Sequence, residues 1–253
     1  LDWRELKTDK FKDIHKGQIG FISGSGPSLH SFTEEQIDKI QQFPLIAVNS
    51  AIMKFPKAKY YLSDDIAVSN WNYYIELLPK LPCIKLLYKD KLKNKCDHLD
   101  DCYLFSHTWW YSPKDNKYNL DGLKLNKTGP IIGARTSVSS GVHFLFLMGC
   151  NPIVLLGCNC CYSKEGYRYF WQYEGEQKAF RVNGDKSIGF PGRKKYMGEQ
   201  IDNHSLDFLQ YWNYFVEVNK DILGKDLTII NCSDGLLDCF PRMKIEEVLK
   251  TYK

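Results

Sequence analysis

The sequence lacks the marks of several familiar protein classes. Its longest apolar region, 142–156, is broken by Gly149-Cys150-Asn151-Pro152, a helix stop and turn, so no integral membrane segment is expected. Charge of one sign is not in large excess either. With 34 Lys and Arg against 30 Asp and Glu, the formal net charge of +4 does not require nucleic acid, which stays open without being favoured. A G-x-S-x-G nucleophile motif is missing, and hydrolase chemistry has no foothold. The nine cysteines do not form two C-x-x-C motifs that could pair. Cys158, Cys160 and Cys161 read C-x-C-C, and Cys96-Asp97-His98 with Cys102 lacks the spacing of a closed zinc site, so buried thiols are expected. The odd count, the apolar runs around several cysteines and the lack of a secretory leader predict reduced thiols in a cytoplasmic protein. No internal repeat or linker divides the chain. With 253 residues, 43% of them apolar, a single domain over 1–253 can bury its own core.

What is present is a run of short apolar segments, each ending in small or polar residues. The first, 19–29, reads IGFISGSGPSL. Gly24 and Gly26 could take positive φ and bring backbone N–H groups close to an anion, and Pro27 suits a first helical turn. The alternative is a tight strand-to-helix turn with no ligand, because the third glycine of G-x-G-x-x-G is Leu29 and no Gly-Lys-Ser/Thr follows. Ser31 and Glu34 predict a capping box for a helix to about Gln42. Strands are expected at 44–48, ending at Asn49, and at 58–62, ending in Ser63-Asp64-Asp65. Others are expected at 83–87, 103–105, 153–156 and 227–231. Helices are expected over 1–16, at 71–78, from a Ser137 cap to Met148, around Leu206 to Val216, and at 245–249. Residues 109–127 read as an aromatic, polar loop, whose stretch 109–118 is either an acceptor wall or a homo-oligomer interface. A lid or binding loop is expected over about 163–198. Strands alternating with helices argue for an α/β fold with a mostly parallel, doubly wound sheet, whose strand ends Gly24, Asn49 and Asp64 share one crevice.

The landmarks HKGQIGFISGSGPSL at 15–29, AVNSAI at 47–52, Ser63-Asp64-Asp65, TSVSSGVHFLFLMGCNPIVLLG at 136–157 and INCSDGLLDCFPRM at 230–243 occur in order. In this the chain resembles the MptE-like proteins, which include the motility accessory factors, and the related bacterial family 42 sialyltransferases. The resemblance implies a Rossmann-like nucleotide-binding fold. It implies transfer of a sugar from a nucleotide-activated donor to a carbohydrate or other hydroxyl acceptor, with no required cofactor. The alternative is a diphosphokinase using ATP, with Mg²⁺ held by Asp64 and Asp65. A further alternative is a nucleotide- or nucleic-acid-binding module without chemistry.

By the same resemblance, Gly24, Ser25, Gly26, Pro27, Ser28, Asn49, Thr136, Ser137 and Asn159 are the candidate nucleotide contacts. Tyr162, with Tyr167 or Tyr169, would hold the donor phosphate. Glu199 stands where the sialyltransferases carry a histidine general base, and His204 follows five residues later; either could take the acceptor proton. The bland readings are a solvated helix start for Glu199 and His204, lid packing for the tyrosines, and a turn or helix cap for Asp64-Asp65. The basic string Arg181, Lys186, Arg193, Lys194 and Lys195 reads as a solvated surface or a phosphate attractor, and His107 and His143 as structural.

Overall fold

The computed structural model describes residues 8–109, 111–112, 117–133, 136–174 and 194–252, with the backbone only at 109, 111–112 and 117–118. Seven parallel strands form the centre: β1 Gly20–Ser23, β2 Leu45–Val48, β3 Tyr60–Ser63, β4 Ile84–Tyr88, β5 Cys102–Phe105, β6 Ile153–Leu156 and β7 Ile229–Asn231. Their order across the sheet is β7-β6-β1-β2-β3-β4-β5. The strands are short and mostly apolar because both faces of the sheet are covered. Leu45 and Ala47 enter one core with Phe21, Tyr61 and Val154, while Ile46 and Val48 enter the other with Ile22, Leu62 and Leu155. Helices cover both faces, which makes this a Rossmann-like α/β fold.

Helices α1, Glu34–Ile40, and α4, Ile245–Thr251, bury Ile37, Ile40, Ile245 and Val248 in the first core. Helices α2, Ser137–Leu147, and α3, Asn203–Val218, bury Val142, Phe144, Trp212 and Phe215 in the second. Gly141 lets α2 lie close on the sheet, since a Cβ there would stand 1.9 Å from Ile22 Cδ1. Among the described residues no helix is long and apolar enough to cross a membrane.

Several local expectations need correction. The box that opens α1 is Thr33 with Gln36, not Ser31 with Glu34: each side chain accepts the other residue's backbone N–H. Ser31 instead donates to the Ser28 carbonyl. Likewise Thr136, not Ser137, caps α2 by accepting from the Val138 amide. The expected helix over 1–16 is, where described, a 3-10 turn at Thr8–Phe11 with Phe11 buried; Trp3 and Leu6 lie outside the described residues. The helix at 71–78 is a π turn, Tyr73–Leu77, followed by a 3-10 turn at Leu78–Lys80.

Within the expected aromatic loop, Tyr111–Ser112 pairs antiparallel with Lys117–Tyr118. The start of the expected lid packs into the body through buried Phe170 and Trp171. Its end is a hairpin, Lys194–Tyr196 with Glu199–Ile201, turning at Met197 and Gly198, both at positive φ. Residues 175–193, including Arg181, Lys186 and Arg193, lie outside the described residues, while Lys194 and Lys195 are exposed on the hairpin.

Candidate functional site

The strand order reverses between β1 and β6, and the carboxyl ends of β1, β2, β3 and β6 open into a cleft of about 410 Å³. Crevices at such switch points are where open α/β sheets bind ligands.

Gly24, Ser25, Gly26 and Pro27 form the part of the wall that follows β1. Neither glycine takes the positive φ that the sequence suggested. Gly26 has φ −65° and opens only a five-residue 3-10 helix, Pro27–Ser31. Three amides there are used within the protein: Gly24 N–H donates to the Leu156 carbonyl, Gly26 N–H to Gly157, and Ser28 N–H to Asn159 Oδ1. The glycines are required by close approach. A Cβ on Gly26 would stand 2.3 Å from Asn159 Oδ1 and 2.5 Å from the Gly157 carbonyl oxygen. Asn159 lines the cleft as the tie between the β6 and β1 turns, and also accepts from Ser28 Oγ at 2.8 Å. Ser28 lies behind this tie, outside the cleft. Ser25 Oγ is held within the protein, donating to the Val48 carbonyl and accepting from Ser50 Oγ.

Asn49 stands at the end of β2 with φ 51°, a left-handed conformation in which asparagine is enriched. It lines the cleft, and its Oδ1 is buried with no hydrogen-bond partner. An unpaired buried acceptor of this kind costs about 1–3 kcal/mol.

At the end of β3, Asp64 is buried and accepts a short hydrogen bond from the Ser137 hydroxyl at the start of α2. Burial pushes its carboxyl up to about 6 against the opposing pull of Ser137 and Lys91. His107 Nε2 lies 3.8 Å from Asp64 Oδ2, and the ring stacks on Tyr88 at 4.1 Å. Burial first, then the Lys91 charge, push His107 down to about 3. The pair is therefore a carboxyl facing a neutral imidazole, not an ion pair. This brings His107, read from the sequence as structural, to the cleft. His143 is structural as expected, buried with Nδ1 accepting from Ile132 N–H.

Asp65 also lines the cleft, but one oxygen accepts from the Ala67 amide as a helix cap. Among the described residues no group of three His, Cys, Asp or Glu could hold a metal ion. A magnesium ion would thus find one desolvated, hydrogen-bonded carboxyl and one capping carboxylate. Magnesium takes one or two carboxylates with water and substrate phosphate completing its shell, so these two side chains are the ones that would hold it.

Beyond β6, Arg168 and Tyr169 face the cleft together with His204 and Ser205 from the first turn of α3. Arg168 Nη1 is 2.7 Å from Asp202 Oδ2, and Asp202 caps α3 through the Ser205 amide at 2.7 Å. Burial raises the Asp202 carboxyl, but the Ser205 amide and Arg168 charge outweigh it and hold it below the ordinary range.

Of the expected phosphate-holding tyrosines, Tyr162 is buried away from the cleft, its hydroxyl donating to Asp202 Oδ2 at 3.1 Å. Tyr167 also lies outside, edge-on to Tyr173 at 4.7 Å. Tyr169 does line the cleft, stacked on Trp171 at 5.1 Å. Glu199 sits on the hairpin and lines a separate depression with Tyr162 and Asp234. Of the two base candidates, His204 alone reaches the cleft. Arg168 and Lys91 line the cleft without having been singled out from the sequence, although Arg168 stands between Tyr167 and Tyr169.

No family model and no curated protein matches this sequence. Among solved structures, a MAf glycosyltransferase from Magnetospirillum magneticum AMB-1 superimposes with a TM-score of 0.53 at 13% identity, over 95% of this chain. The chain spans 37% of the length of that structure. The likeness is one of fold, over nearly the whole of this chain.

Proposed function

We propose that this chain is a nucleotide-sugar-dependent glycosyltransferase of the MptE-like and motility accessory factor kind, with the donor nucleotide in the switch-point cleft. The observation that carries the reading is Asn49, an asparagine in the left-handed conformation at a strand end, lining the cleft with a buried, unpartnered acceptor. A nucleobase amino group or ribose hydroxyl is the kind of donor such an acceptor takes. The volume, about 410 Å³, suits a nucleotide, and the fold likeness to a glycosyltransferase agrees with a sugar attached to it.

In this reading the first turns of α2 and α3 direct their positive ends at the donor phosphate. His204 takes the acceptor proton.

The test is a panel of CMP-, UDP- and GDP-sugars offered to the purified protein, with release of the free nucleotide followed by chromatography. Turnover or slow hydrolysis of one donor is expected. No turnover across the panel, with magnesium-dependent release of AMP from ATP, would replace this reading by the diphosphokinase one. No catalysis, with steeply salt-dependent binding to DNA or RNA, would replace it by a binding module.

A further inference from the structure

We infer that Arg168 holds the departing phosphate of the donor, in place of the paired tyrosine hydroxyls that the sequence suggested. This rests on the nucleotide-donor reading above and adds a specific group to it.

Arg168 is fixed on two sides. Its Nη1 meets Asp202 Oδ2 at 2.7 Å, with the arginine side chain 14% exposed and the aspartate side chain 1% exposed. Asp202 is itself anchored by the Tyr162 hydroxyl at 3.1 Å, the Ser205 amide at 2.7 Å and the Ser205 hydroxyl at 3.0 Å. The guanidinium carbon also lies 5.5 Å from the centre of the Tyr169 ring, which stacks on Trp171. Trp171 in turn donates to Ser50 Oγ, beside the β2 end that carries Asn49.

A planar guanidinium has five N–H donors in a rigid fork, so pairing with a carboxylate does not exhaust it. The fork matches phosphate geometry in a way that a single hydroxyl does not. Of the tyrosines, Tyr162 already donates to Asp202 and Tyr167 lies outside the cleft, which leaves Tyr169 beside Arg168 and no pair of hydroxyls.

Arg168 and the start of α3 lie beyond β6, on the other side of β1 and β2 from Asp64, Asp65 and Lys91. When the bond between the sugar carbon and the phosphate oxygen breaks, its electron pair goes to that oxygen. The acceptor oxygen forms the new bond to carbon, and its proton passes to His204. Arg168 meets the charge that grows on the phosphate, which places it among the catalytic residues.

Calorimetry with cytidine and its 5′-monophosphate, and with the uridine and guanosine pairs alongside, separates phosphate recognition from base recognition. The wild-type protein should prefer one monophosphate over its nucleoside at least tenfold. Arg168→Gln should cut that preference below about threefold while leaving nucleoside affinity unchanged, and Arg168→Lys, a point charge without the fork, should fall between. Tyr162→Phe should keep the preference.

Retention of the preference in both Arg168 variants, or its loss in Tyr162→Phe alone, overturns the inference. If Arg168→Gln fails to fold because buried Asp202 is left unpaired, Arg168→Lys decides: an unchanged preference there overturns the inference too. A wild-type protein that binds none of the six compounds overturns the donor reading itself. Binding with a preference indifferent to Arg168 overturns only the assignment to this residue.

Discussion

Replacing Asp64 with asparagine should stabilise the protein at neutral and alkaline pH while damaging its cleft. Burial pushes the Asp64 carboxyl from an ordinary 3.8 up to about 6. At about 1.4 kcal/mol per pH unit, the folded protein therefore carries a cost of about 3 kcal/mol once the group is fully ionised. Because the folded value lies above the unfolded one, this cost is absent below pH 3.8. It grows through the interval and is complete above pH 6. Asparagine carries no such cost, and its amide oxygen can still accept from Ser137.

The new amide N–H groups need partners in a buried site, which returns about 1–3 kcal/mol of the gain. The absolute difference at pH 8 should thus be small and favourable to the variant. Its change with pH is the cleaner quantity: variant minus parent should rise by about 2–3 kcal/mol between pH 4 and pH 8. Urea unfolding at the two pH values, followed through the fluorescence of buried Trp171 and Trp212, measures it. A difference that stays constant with pH, or one that falls as pH rises, refutes the placement of a desolvated carboxyl at the end of β3.

Asn49→Ala should weaken binding of the donor nucleotide by roughly tenfold, as expected for one lost hydrogen bond, and shift unfolding free energy by less than about 1 kcal/mol. Parallel loss of stability and binding in calorimetry and melting curves would make Asn49 a structural residue. His204→Gln should lower kcat by about 10²–10⁴ with little change in nucleotide affinity. A variant with full turnover removes His204 as the base. Gly26→Ala should destabilise the domain by about 1–3 kcal/mol in urea, because the new methyl meets the backbone carbonyl of Gly157 at 2.5 Å. An unchanged midpoint would mean that the two turns part easily.

The sequence by itself determined the sheet and the place of its crevice. Four-residue apolar runs bounded by turn residues, such as Leu45–Val48, read as strands covered on both faces, and Asn49, Asp64 and Gly157 mark where each run stops being apolar. These are local properties of consecutive residues, and they survive without knowledge of what packs on them. What the tertiary structure decided is the use to which each strand-end residue is put. Gly24 and Gly26 look like a phosphate turn until the β6 turn is laid against them and consumes their amides. Ser137 looks like a helix cap until Asp64, 73 residues earlier, takes its hydroxyl. Tyr162 looks like a phosphate ligand until Asp202, 40 residues later, claims it, and that same carboxylate fixes Arg168 in the cleft. A polar side chain's role depends on which partner reaches it first, and in a parallel sheet the partners at one crevice come from strands far apart in the chain.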